Sequence, residues 1–210
     1  MKFDLAAFDL YGTLLDISGL AARMEPLVGR DAAGLLARWR TAQVTSSWEC
    51  NRLARFEPWD RVTALALEAV APNLSAALRD RLCRLWWTLP PFPDARAALD
   101  DLRERGVRLA VLSNGTRAMI TSALAAAGLS VHNVLSAEDV GVYKTDPRVY
   151  ALLDAVAPRE RTLFVSSNGW DADGARRDGR TVAWIDRGGE PPGTAPDFQI
   201  ASLSEVARLH

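Results

Sequence analysis

The 210 residues carry 25 basic and 26 acidic side chains, a formal net charge of -1, and 49% hydrophobic residues. A chain of this size buries one sizeable core with a smaller appended unit. With no basic cluster and no aromatic-interleaved basic stripe, it excludes nucleic acid as a partner and favours small-molecule chemistry. Met1-Lys2-Phe3-Asp4 offers no cleavable apolar run and no stretch nears the ~20 residues of a membrane span, so no membrane partner and a cytoplasmic location are expected.

In chain order, the first strand is expected over 4–9, where the apolar run Leu5-Ala6-Ala7-Phe8 leads into Asp9-Leu10-Tyr11-Gly12-Thr13-Leu14-Leu15. A lone carboxylate thus sits where a buried strand gives way to a glycine turn. Two positions later stands Tyr11, whose ordinary pKa of ~10 disqualifies it from protonating a leaving group near neutral pH. Asp9 therefore reads as a nucleophile whose leaving group departs without a proton. Residues 15–90 break the strand-helix alternation and read as helices over 19–28, 31–49, 59–71 and 74–88, an inserted helical cap. The stiff run Pro90-Pro91-Phe92-Pro93 marks the return.

From there helices over 94–105, 116–127, 147–156 and 171–178 alternate with strands over 107–112, 132–136, 161–166 and 181–186. Gly106 and Gly128 stand where C-terminal caps belong, and Pro147 fits a first helical turn. The alternation predicts an α/β fold: a doubly wound parallel sheet formed by 1–14 and 91–210, with 15–90 as the cap.

Ligands in such sheets bind beyond the carboxyl ends of the strands. Asp9, Ser113-Asn114-Gly115 and Ser166-Ser167-Asn168 end three separate strands there, and the loop carrying Lys144 follows another. Lys144 is conspicuous because 23 of the 25 basic residues are Arg, leaving only Lys2 and Lys144. Cys50 and Cys83 lie far apart, and with only His132 and His210 beside them there is little material for a Cys/His metal site or a histidine triad. Each candidate also has a structural reading: Ser113 and Asn114 as caps of the helix from 116, Arg40 as a surface charge, Asp171 as a helix N-terminal charge, Trp170 as core filler.

Five segments in order carry a resemblance across nearly the whole chain: Asp9-x-Tyr11-Gly12-Thr13-Leu14, Trp39-Arg40 with Ser47-Trp48, Leu112-Ser113-Asn114-Gly115, Val142-Tyr143-Lys144 with Arg148-Val149-Tyr150, and Val165-Ser166-Ser167-Asn168-Gly169-Trp170-Asp171. The chain resembles the haloacid dehalogenase superfamily, and within it the L-2-haloacid dehalogenases. Thr145 departs from the usual Pro after the lysine, and Gly169 stands where Ala is common.

The resemblance implies a Rossmann-like core and hydrolysis of short (S)-2-haloacids to (R)-2-hydroxyacids through an ester on Asp9. It implies no metal and no cofactor, and a homodimer. Carried over position by position, Arg40 and Asn114 would cradle the halide, while Ser113 and the amides of Leu10 and Tyr11 would grip the substrate carboxylate. Lys144 would keep Asp9 ionised, with Tyr150 helping to fix the lysine and Thr13 orienting Asp9. Asp171, supported by Ser166 and Asn168, would place and deprotonate the hydrolytic water, and Trp170 and Trp59 would make an apolar wall.

Two rivals remain on the same scaffold. A magnesium-dependent phosphatase would need acids where Tyr11 and Ser167 stand, although Asp171 and Asp173 could still hold a cation. A hydrolase of a strained ring such as azetidine-2-carboxylate would use the same nucleophile and carboxylate clamp. A non-catalytic binding protein would have no need for the whole set.

Overall fold

The computed structural model describes residues 3–210. Among them six strands form one all-parallel sheet in the order β3-β2-β1-β4-β5-β6: β1 (Leu5–Phe8), β2 (Arg108–Ser113), β3 (Asn133–Ser136), β4 (Thr162–Ser166), β5 (Thr181–Ile185) and β6 (Phe198–Ile200). Chain direction reverses its walk across the sheet between β1 and its two neighbours, β2 and β4. Every residue of β1 and β4 is buried, as the near-continuous apolar runs require when helices cover both faces.

The helices are α1 (Leu20–Val28), α2 (Ala32–Arg52), α3 (Trp59–Val70), α4 (Ala76–Arg84), α5 (Ala95–Glu104), α6 (Arg117–Ala127), α7 (Pro147–Ala151), α8 (Gly169–Arg177) and α9 (Val206–Leu209). The first four lie between β1 and α5. Their entry and exit strands meet in an antiparallel bridge between Leu15 and Pro91, flanked by Asp16 N–H donating to Pro90 O (2.8 Å) and Phe92 N–H to Leu14 O (2.9 Å). Inside this layer Trp39 Nε1 donates to Thr63 O at 2.8 Å and Gln43 Nε2 to Thr63 Oγ1 at 2.9 Å, which pins α2 on α3. No helix among the described residues is long and apolar enough to cross a membrane.

Five strands fall within a residue of their sequence-predicted ends. The sixth, β6, has no sequence signal: three residues at a sheet edge, reached from β5 by a helix-free crossing. Helix 147–156 is corrected to α7 plus a 3-10 turn over Leu152–Ala155. Arg180 Nη2 takes the Tyr150 carbonyl at 2.7 Å, diverting an acceptor from the helical ladder. Helix 171–178 starts earlier, at Gly169, because Asn168 O already accepts from the amides of Asp171 and Ala172, each at 3.0 Å. The segment 74–88 divides into α4 and a 3-10 turn over Leu85–Trp87, and α2 runs on to Arg52.

Candidate active site

Asp9 leaves β1 with its N–H on Val165 O at 2.9 Å, so the sheet itself fixes where its carboxylate emerges. The turn beyond is tight. Leu10 O accepts from the amides of Thr13, Leu14 and Leu15, and Gly12 takes φ +93°, open to glycine at little cost. The backbone amides of Leu10 and Tyr11 have no acceptor among the described residues.

Each oxygen of Asp9 is held. Lys144 Nζ donates to Oδ1 at 3.0 Å, while Thr13 Oγ1 (3.1 Å) and Asn168 Nδ2 (2.9 Å) donate to Oδ2. The Ser167 hydroxyl gives its proton to Gly12 O at 2.8 Å, and its amide donates to Thr13 Oγ1 at 2.9 Å, which orients the threonine.

Lys144 also donates to Asp171 Oδ2 at 2.8 Å, so one ammonium bridges two carboxylates in a site where the lysine and Asp171 are fully buried. Burial alone would push the lysine toward neutrality; the charges of Asp171 and Asp9 outweigh it and hold its pKa above the ordinary value. Asp171 moves upward from the carboxylate range, chiefly through burial, with Asp9 adding to the shift and Lys144 opposing it. Ser166 Oγ (3.0 Å, to Oδ2) and Tyr150 Oη (2.7 Å, to Oδ1) complete its coordination.

These bonds correct two sequence-based roles. Asn168 supports Asp9 rather than Asp171. Tyr150 reaches the lysine only through Asp171. Gly174, which sequence reasoning passed over, makes the second contact feasible: a Cβ there would lie 2.3 Å from Tyr150 Oη.

The lysine loop is tied from two sides. Its amide donates to Asn114 Oδ1 at 3.0 Å, which leaves the Asn114 Nδ2 uncommitted. One residue earlier, Asn51 of α2 makes a paired contact with the Tyr143 backbone, giving and accepting at 2.8 Å, and the Tyr143 hydroxyl donates to Glu57 O. The Lys144-Thr145 peptide bond is cis. Ser113 accepts from Gly115 N–H at 3.2 Å, and neither Ser113 nor Asn114 caps α6; Thr116 does, taking Met119 N–H at 3.2 Å.

Asp9, Tyr11, Arg40, Val44, Trp59, Ser113, Asn114, Lys144, Asn168 and Trp170 enclose a cleft of about 20 Å³, room for one small group. Arg40 enters from α2, its guanidinium 5.4 Å from the Trp86 ring centre and 3.4 Å from Gln43 Oε1. Val44 is a wall residue the sequence reading missed. It lies one helical turn after Arg40 on the same face, a spacing that would have found it. Trp170 meets Trp48 edge-on at 6.1 Å, and Trp59 packs on Tyr143 at 5.4 Å. A larger cleft of about 800 Å³ between α3 and α4, lined by Leu65, Arg79 and Cys83 among others, contains none of the residues that line the small one.

The donor set does not suit a divalent cation. The space between Asp9 and Asp171 is filled by the Lys144 ammonium, and Asp173 holds the amides of Gly193 (2.8 Å) and Thr194 (2.9 Å). Gly169 also has a local reason: a Cβ there would approach the carbonyl oxygens of Pro191 and Glu190 to 2.5 and 2.6 Å.

Comparison with known proteins places this geometry. Residues 3–179 match the model for haloacid dehalogenase-like hydrolases. The chain is 36% identical to the (S)-2-haloacid dehalogenase of Pseudomonas sp. strain YL, over 97% of this chain and 92% of the relative. It is 33% identical to haloacetate dehalogenase H-2 of Moraxella sp. strain B, over 99% and 98%. The solved structure of L-2-haloacid dehalogenase from Xanthobacter autotrophicus with chloropropionic acid covalently bound superposes with a TM-score of 0.93 at 27% identity, covering 99% of this chain and 98% of that one. Fold, site geometry and similarity over nearly the full length agree: the chain belongs to the haloacid dehalogenase-like hydrolases.

Proposed function

We propose that this protein hydrolyses short-chain (S)-2-haloacids to (R)-2-hydroxyacids through an ester on Asp9, without a metal ion, beneath a cap formed by 15–90. The observation that carries the reading is the Lys144 ammonium bridging Asp9 and Asp171 at 3.0 and 2.8 Å in a cleft that also holds Arg40 and Asn114.

The amides of Leu10 and Tyr11, with the Ser113 hydroxyl, take the substrate carboxylate. Asp9, desolvated, bonded to Lys144 and fixed by Thr13 and Asn168, attacks the halogen-bearing carbon from the face opposite the leaving group. The carbon-oxygen bond forms as the carbon-halogen pair leaves with the halogen, toward Arg40 and Asn114 Nδ2. Trp59, Trp170 and Val44 exclude bulk water from the alkyl part.

Water then attacks the Asp9 carbonyl carbon, and Asp171 accepts its proton. Lys144, Thr13 and Asn168 face the oxyanion that develops on Asp9. The hydroxyacid leaves with an original Asp9 oxygen, and water's oxygen stays in the carboxylate. The raised pKa of Asp171 suits it to this proton transfer better than an ordinary carboxylate.

Because attack on carbon happens once, (S)-2-chloropropionate should yield (R)-2-hydroxypropionate at an undiminished rate in EDTA, as read by chiral chromatography and chloride release. Retained or racemic product would overturn the single displacement. Strict dependence on added magnesium, with turnover of a generic phosphate ester, would favour the phosphatase.

Gly174→Ala provides a test remote from the cleft. The added methyl group displaces the fully buried Tyr150 hydroxyl and strips Asp171 of one of its donors. Halide release should fall about tenfold or more, with a loss of about 1–3 kcal/mol in unfolding free energy. A variant that melts and turns over like the parent would mean that the Tyr150-Asp171 bond does not matter.

A further inference from the structure

The side chain of Tyr11 lines the cleft with Asp9, Arg40 and Asn114, is 5% exposed, and has no hydrogen-bond partner for its hydroxyl among the described residues. A buried hydroxyl left unpaired is unfavourable and exceptional in a folded protein, and where it borders a cleft a ligand is the natural partner.

The ring has little freedom to turn elsewhere. It packs edge-on against Trp86 with centres 6.0 Å apart, and its Cε2 lies 3.2 Å from where a Cβ on Gly115 would stand. The same indole carries the Arg40 guanidinium, 5.4 Å from the Trp86 ring centre. One aromatic surface therefore positions both the phenol and the cation. After burial, the charge that acts most strongly on the Tyr11 hydroxyl is Arg40, ahead of Asp9.

We infer that the Tyr11 hydroxyl donates a hydrogen bond to the departing halide, as a third donor beside Arg40 and the Asn114 amide. This rests on the dehalogenase reading above. Burial raises the phenol well above its ordinary pKa, so it remains a protonated donor near neutral pH. The same shift denies it acid catalysis. As the carbon-halogen bond breaks, the electron pair leaves with the halogen and the proton stays on Tyr11, so the hydroxyl stabilises the anion without being consumed.

Tyr11→Phe removes only the oxygen. Since that oxygen has no partner among the described residues, the variant should melt no lower than the parent, which separates a ligand contact from a structural one. Release of chloride, bromide and iodide from the three 2-halopropionates should then diverge. The fall in kcat/KM is expected to be about tenfold or more for chloride, the anion that depends most on hydrogen bonding, and only a few-fold for iodide.

Bromide binding to the free protein, followed by tryptophan fluorescence, should weaken by about tenfold in Tyr11→Phe. A uniform loss across the three halogens with unaltered bromide affinity would assign the hydroxyl to the substrate carboxylate and overturn the proposal. No change in either measurement would also overturn it. If the parent released no halide from any haloacid, the dehalogenase reading would fall while the bromide titration still decided whether Tyr11 contacts an anion: weakening would support the contact, and an unchanged affinity would sink it.

Discussion

Asp9→Asn should abolish halide release, a loss of at least about 10⁴-fold, because the amide cannot form the ester and nothing else in the cleft can take over as nucleophile. The variant keeps the size of the side chain, so its melting temperature tests whether the fold survives the lost ion pair with Lys144. A single turnover of the parent in heavy-oxygen water gives the complementary result. Water attacks the Asp9 carbonyl carbon, so the peptide containing Asp9 gains mass while the first product molecule carries an unlabelled oxygen. Asp171→Asn should slow ester hydrolysis more than halide release and let the ester accumulate. Label found only in the product after one turnover would make Asp9 a base acting on water and would refute the displacement.

The second large effect is expected at Lys144. Lys144→Met leaves Asp9 and Asp171 buried together without the cation that bridges them, and stripping one partner from a buried ion pair costs about 3–5 kcal/mol. Halide release should fall by about 10³-fold or more, since the Asp9 carboxylate loses the ammonium that holds its Oδ1. The pH dependence carries a definite sign. Burial already raises the Asp171 carboxyl and Lys144 opposes that rise, so without the ammonium its folded-state pKa stands further above its unfolded one, and its contribution to stability is retained at low pH and lost as pH rises through the raised value. The gap in melting temperature between variant and parent should therefore narrow on acidification. A gap that stayed constant from acid to neutral pH would show that the cost is packing rather than charge.

Much of the sheet was legible because its strands are short apolar runs bounded by glycine, proline or polar clusters, which leave few alternatives for Leu5–Phe8, Arg108–Ser113 or Thr162–Ser166. The edge strand Phe198–Ile200 was not, since three residues with one turned to solvent carry no periodicity. The end of α7 was hidden for another reason: it depends on Arg180, 30 positions from the Tyr150 carbonyl it captures.

At the site, strand ends pointed to Asp9 and Asn114, composition and its loop to Lys144, and the family resemblance to Trp170, and these four do lie around one cleft. Which atom bonds to which was not readable. Asn168 lies three residues from Asp171, yet its amide turns to Asp9 across the sheet. Gly174 looked like an ordinary helix residue and Asn51 lay beyond the expected end of its helix at 49, because the significance of both lies in what approaches them in space.

Two carboxylates and two cations stand in and behind the cleft, Asp9 and the buried Asp171 against Lys144 and Arg40, and their formal charges cancel before substrate arrives. A haloacid brings one negative charge. In the proposed reaction ester formation merely relocates it, since Asp9 would become neutral as the halide becomes an anion. Once that anion escapes, the substrate's own carboxylate is matched by the one cation left in excess, and the pocket is electroneutral for the first time since binding. In that reaction water would meet the ester in a setting with no net negative charge to oppose the developing oxyanion, and a halide that re-entered would disturb that balance. Departure of the halide would thus separate the two proposed steps electrically as well as in time.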